Sequence, residues 1–261
     1  MTFAMASDLR VFPVVRRIAP DGQPIIEWLR WVEFPRSLKR HHFGRMLAAG
    51  RIHEFRCFLT GARLYWAPPN LLKGRSLYSL PWAMTREHLV AIRHGGEEVK
   101  RPWNLMPCSR CFNHHAGHMP LAIKLFVRDG LASLDFDREG MRCATAGMVK
   151  EAMIALQRRF LFRGRLAYQP HTYAAPDEIA AVRAFNAALA EYEAQIIGLP
   201  PEERATVLSR PLAFDVEGLF RRLMGPQPML DTAPATGLIR CHDTNIPRRG
   251  SQVGVAPPQT A

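Results

Sequence analysis

The seventeen residues Pro102–His118, PWNLMPCSRCFNHHAGH, constrain the fold more than any other stretch of the chain. They hold two cysteines, three histidines and two asparagines. Just upstream, Thr85–Gly96 reads TREHLVAIRHGG and adds two more histidines. AMTREHLVAI has the look of an extended segment, and His94–Gly95–Gly96 of a turn that closes it. An extended segment, a glycine turn and a cluster of polar, metal-competent side chains leading into a helix leave two options. The cluster either gathers around a site, or it ties a small loop together.

Charge favours a site that meets an anion. The chain has 261 residues and a formal net charge of +12. Residues 1–130 carry 20 Lys/Arg against 9 Asp/Glu, and residues 131–261 carry 15 against 14, so the excess lies almost wholly in the first half. Eight of the ten histidines fall between His41 and His118. A positive field of this kind attracts polyanions such as nucleic acid. A basic, solvated surface with no partner is the plainer alternative. No run reaches the roughly 18 to 20 apolar residues of a membrane span, so no membrane partner is expected. The first residues, MTFAMASDLRVFPVVRR, do not read as a signal peptide. Five cysteines, an odd and small number, do not make a disulfide framework, and a reducing cytoplasm is the expected setting.

Along the chain, residues 1–35 mix apolar strand-like pieces with a turn at PDGQP. Ser37–Ile52 has helical spacing at Leu38, Phe43, Met46 and Leu47, and a basic opposite face with Lys39, Arg40, Arg45 and Arg51. A solvated face and a phosphate-contacting face are both consistent with that pattern. CFLTGARLYWAPPN from Cys57 predicts two strands around a Thr60–Gly61 turn. A helix is expected from about Asn113 or Met119 through PLAIKLFVRDGL. Further helices are expected over ATAGMVKEAMIALQRRFLF, DEIAAVRAFNAALAEYEAQIIGL, PEERATVLSR and AFDVEGLFRRLM, each with an apolar stripe. Beyond about Gly225 the composition turns rich in Pro, Gly, Thr and Ser, which predicts a disordered tail over 225–261.

The residue types set the chemistry. Glu87 and His88 are neighbours on the predicted strand and face opposite sides, unless the strand ends there. A histidine near its ordinary pKa of about 6.5 is available as a base at neutral pH. A carboxylate offers oxygen to a hard divalent cation. Base, cation and a basic surround are what phosphodiester hydrolysis requires.

TREHLV, the double glycine, and NLMPCSRCFN followed by HHAGHMP resemble the HNH endonuclease family. The resemblance spans roughly residues 57–120. It implies a ββα-metal core: two antiparallel strands and a helix around one divalent cation, here Mg or Mn. By that resemblance His88 is the general base, Glu87 the metal-binding acid, and Asn104 the loop residue that fixes the strand–loop geometry. Asn113 completes the metal site from the helix, with His114 as its substitute if the register slips by one. Gly117 matches the family's glycine. CFLTG at Cys57 resembles an upstream knuckle, which would make Cys57, Cys108 and Cys111 ligands of a structural zinc. Arg86 and Arg110 join the basic helix face as candidate nucleic-acid contacts.

The pattern departs from the family at three places. Thr60 stands where a second upstream cysteine is usual. Cys108 and Cys111 lie one position closer to Asn104, with Phe112 inserted before Asn113. Ala116 replaces a common lysine. The expected architecture is α+β: an HNH-like core in a basic domain over 1–130, a helical region over 131–224, then the tail. The expected function is metal-dependent cleavage of DNA, with RNA as the other candidate polyanion. The alternative is a non-catalytic zinc-knuckle protein that binds DNA or RNA with a degenerate site. The sequence sets no oligomeric state.

Overall fold

The computed structural model describes residues 10–49, 52–91 and 102–225. The expected turn at 94–96, Arg51, Cys241 and the tail beyond Gly225 lie outside the described residues. The fold is α+β, 48% helical, with small antiparallel sheets. Among the described residues no helix is long and apolar enough to cross a membrane.

The described part opens with a hairpin of β1 (Val11–Ile18) and β2 (Pro24–Arg30). Gly22 turns it at φ 86°, a conformation that favours glycine. Phe12, Val14 and Val15 of β1 are buried in the core. The stretch expected to form one helix over 37–52 instead forms two, α1 (Arg36–Arg40) and α2 (His42–Ala48). His41 breaks it with an extended backbone, and its Nδ1 accepts from the Phe43 N–H at 3.4 Å. The break serves packing: it lets both Leu38 and Phe43 reach the core, fully buried.

The segment after Cys57 is a tight loop rather than two strands. The Gly61 N–H donates to the Cys57 carbonyl and the Cys57 N–H to that of Ala62, with one bridge between Arg56 and Arg63. α3 (Pro69–Leu72) follows.

The polar cluster then takes shape. β3 (Met84–His88) pairs antiparallel with β4 (Leu105–Ser109), Glu87 opposite Met106 and His88 opposite Leu105. α4 (Arg110–Ala116) starts directly off β4. It begins three residues before the expected start because Ser109 caps it: its Oγ accepts from the Phe112 N–H at 3.2 Å. Gly117–Pro120 interrupt the expected long helix, and α5 (Leu121–Ala132) resumes it. CSRC is therefore a strand–helix junction, with Cys108 on β4 and Cys111 in the first turn of α4.

α6 (Cys143–Arg158) stops short of the expected 144–162 stretch, and Met148 of its stripe is exposed, while α7 (Pro176–Gly198), α8 (Pro201–Ser209) and α9 (Val216–Met224) form where their stripes lie. Between α6 and α7 a two-residue turn at Arg163–Gly164, both with positive φ, makes a hairpin of β5 (Leu161–Phe162) and β6 (Arg165–Leu166) that the stripes did not announce. Phe160, Phe185 and Phe220 meet in one aromatic cluster. They belong to the same core as Phe43, Trp82 and Phe112, so the helices pack onto the basic half directly. A smaller cluster joins Leu89 and Val90, just past β3, to Leu121, Leu125, Ile196 and Leu208. It seats the end of β3 on α5, α7 and α8.

A Cβ at Gly44 would stand 2.0 Å from the Leu38 carbonyl oxygen, a backbone atom that cannot swing aside. Gly44→Ala is expected to destabilise the protein by about 1–3 kcal/mol, seen as a lower urea midpoint.

Candidate functional site

An open cleft of about 320 Å³ wraps the end of β3. Arg86, Glu87, His88, Ala91, Asn113, Gly117 and His118 line it. Strand and helix contribute from opposite sides, and the strand's end lets neighbouring residues reach one space.

Three polar ties fix that strand end. Lys124 of α5 is fully buried, and its Nζ donates to Glu87 Oε1 and to the His88 carbonyl, both at 2.5 Å. Asn104, also fully buried, spans Val90: its Nδ2 donates to the Val90 carbonyl at 2.8 Å and its Oδ1 accepts from the Val90 N–H at 2.7 Å. Asn113 Nδ2 donates to Thr85 Oγ1 at 2.9 Å and to the Arg86 carbonyl at 2.7 Å. The last two bonds fix the amide, since a carbonyl only accepts. Both N–H groups face β3, and Oδ1 is turned the other way.

Burial raises the Glu87 carboxyl above its usual range against the pull of Lys124. The His88 imidazole is held below its usual value, first by burial and then by the charges of Lys124 and Arg86. His88 is thus neutral at neutral pH, with a lone pair to offer.

The cleft brings together Glu87, His88, Asn113 and Arg86 as expected, and adds His118. It leaves out other expected residues. His114 is exposed beside His115, with ring centroids 5.8 Å apart, and does not line the cleft. Asn104 does not line it either; it acts on the Val90 backbone and positions the strand end. Arg110 is not presented to a ligand: its guanidinium donates to the carbonyls of Leu72, Arg75 and Ser76. Lys39 donates to the Val32 carbonyl at 2.9 Å, over the Trp31 ring. Arg40, Arg45 and Arg86 are exposed. His41 feels the charges of Arg86 and Arg45, which places the start of α2 beside the cleft.

The three cysteines do not form one cluster. Cys57 and Cys108 touch, with Sγ atoms 3.7 Å apart, while the Cys111 backbone N–H donates to the Pro81 carbonyl and its thiol feels the charge of Lys150. The cause is the junction: one cysteine sits on a strand face and the other a helical turn later. Among the described residues no three His, Cys, Asp or Glu side chains are arranged to hold a metal ion by themselves. The donors at the cleft are the His88 and His118 imidazoles, Asn113 Oδ1 and the Glu87 carboxylate, of which Lys124 takes one oxygen. Of these, the Asn113 and Glu87 oxygens are the kind of donor a hard cation takes, while imidazoles suit softer divalent ions. The thiols fit a four-ligand zinc poorly.

Two residues of this site escaped sequence reading. Lys124 shares the buried face of α5 with Leu121 and Leu125, so a lysine inside an apolar stripe was the available signal. His118 lies beyond α4, and only the bend at Gly117–Pro120 brings it back to the cleft.

No family model, curated protein sequence or solved structure matches this chain.

Replacing Lys124 by Met would strand a buried carboxylate, at a cost of about 3–5 kcal/mol. The double variant Glu87→Gln/Lys124→Met is expected to recover much of that loss. Chemical denaturation of both variants measures it, and additive losses would contradict the pairing.

Proposed function

We propose that the protein is a metal-dependent endonuclease of the HNH type that hydrolyses DNA phosphodiester bonds, with β3, β4 and α4 as its ββα-metal core. The observation that carries this reading is the meeting of the neutral His88 imidazole and the outward-turned Asn113 amide oxygen in one cleft beside Arg86. His88 takes the proton from the attacking water. Arg86 receives the scissile phosphate, and the exposed Arg40 and Arg45 hold the flanking backbone. Asn113, Glu87 and His118 would hold the cation, which when bound stabilises charge on the phosphate and the leaving oxygen. Lys124 and Asn104 keep the His88 backbone in place, and the buried floor beneath Leu89 and Val90 keeps it from shifting. The phosphate backbone supplies most of the affinity through charge.

His88→Ala is expected to abolish plasmid nicking with Mg²⁺ or Mn²⁺ while DNA affinity, measured by gel shift, stays within about threefold, since a neutral side chain contributes little to a charge-driven affinity. A wild-type protein that binds DNA yet cuts with no divalent cation would mark a non-catalytic binder instead.

The pH profile follows from the sign of the His88 shift. The base works unprotonated, and its pKa lies below the ordinary imidazole value, so activity persists into mildly acidic pH and falls only as pH drops through the lowered value. Arg86→Ala removes one of the charges that depress it, and the acid limb is expected to move up in pH. Single-turnover rates at saturating protein read this apart from weakened binding.

A further inference from the structure

Cys57 and Cys108 lie 51 residues apart in sequence and meet in the core below the β3–β4 hairpin, with their Sγ atoms 3.7 Å apart. The cleft chemistry uses neither. Cys57 is surrounded by donors: the Ser109 N–H reaches its sulfur at 3.4 Å, and the Thr60 hydroxyl and N–H bond to it as well. Burial raises both thiols; at Cys57 the neighbouring Cys108 and those donors outweigh it and lower the thiol, while at Cys108 the neighbouring sulfur adds to it. Of the two sulfurs, Cys57 accepts the Ser109 N–H and is the better placed to carry negative charge. Thr60, which sits where a knuckle cysteine would, acts here as a thiolate donor. It also lines a second open cleft, of about 480 Å³, together with Phe58, Gly61, Arg128 and Arg138. Thr60 is buried at the wall of that cleft, and Cys57 lies behind it.

We propose that Cys57 and Cys108 are a dithiol that hydrogen peroxide oxidises to a disulfide, Cys57 reacting first and Cys108 resolving it. The Cys57 thiolate attacks one peroxide oxygen; the O–O bond breaks, and the hydroxide released is protonated to water. Cys57 is then a sulfenic acid. The Cys108 sulfur attacks it, the S–O bond breaks, and the oxygen leaves as a second water with the proton from Cys108. Two thiols and one peroxide give one disulfide and two waters; the sulfurs lose two electrons and the peroxide gains them. Both sulfurs are buried, so the oxidant must enter through a local opening beside Thr60, and peroxide, close to water in size, needs the smallest one. The bond would tether the 57–61 loop to β4. Across β4 the Cys108 carbonyl accepts from Thr85 Oγ1, the same hydroxyl that accepts from Asn113. The proposal does not depend on nuclease activity.

The test treats the full-length protein with hydrogen peroxide, blocks remaining thiols, and maps peptides by mass spectrometry without reduction. A Cys57–Cys108 linked peptide that dithiothreitol reverses is expected. Cys143, half-buried on α6, is the internal comparison, since a reagent that merely oxidises accessible thiols would mark it instead. In Cys108→Ser the Cys57 sulfenic acid should persist and be trapped by dimedone; in Cys57→Ser, Cys108 should stay a thiol. Should either serine variant fail to fold, the wild-type map decides alone. Recovery of both residues as free thiols, released to alkylation only on unfolding, would overturn the proposal. So would one zinc per chain released on thiol blocking, because the pair would then be metal ligands.

Discussion

A lysine in the core holds the functional end of this molecule. Lys124 has no exposed surface, and its ammonium joins the Glu87 carboxylate to the His88 carbonyl. Such a pair adds little net stability, because desolvating two charges offsets most of their attraction. Its effect is positional. A buried ammonium must keep its acceptors, so α5 and the last residues of β3 cannot slide past each other without stranding a charge. Asn104 applies the same logic two residues later, through both polar groups of Val90. Between them the strand ends at a fixed place, and that end is where Arg86, Glu87 and His88 come to share a cleft.

The electrostatics of the cleft follow from that arrangement. Positive charges at Lys124 and Arg86 flank His88 and favour its neutral form. The same charges favour an anion in the cleft. For the phosphodiester chemistry we propose, a neutral base in a positive surround would draw an anionic substrate in without protonating the base. The helical half takes part in this only from below: Ile196 and Leu208 pack beneath Leu89 and Val90, and the Glu193 carboxylate accepts from the Leu121 N–H at 2.6 Å at the start of α5.

Much of this was legible in order along the chain. The stripes at Val182, Phe185 and Leu189 follow local rules that act over a few residues; Ser109 as a cap and Pro120 as a break obey such rules too, but the expected helix started later and ran through Pro120. The errors arose where local rules compete with packing. The basic stretch at 37–52 has one helical stripe, yet it breaks at His41 so that both Leu38 and Phe43 can be buried. The CSRC spacing resembles a metal knuckle, yet a strand-to-helix change between the two cysteines separates them. Arg110 reads as a free charge until three carbonyls of the 72–76 loop are found around it.

The sequence by itself determined the charge asymmetry of the molecule and the candidacy of His88 and Glu87, which depend on residue type and short spacing; the strand–strand–helix order and the place of Asn113 came with the family resemblance. The tertiary structure alone decided which groups converge. It brought His118 into the cleft and turned His114 and Cys111 out of their expected places. It engaged Arg110 and Lys39 with backbone carbonyls, and it paired Cys57 with Cys108 across 51 residues. Those outcomes depend on how helices and strands bury their apolar faces against one another, a global balance that no short window of sequence contains.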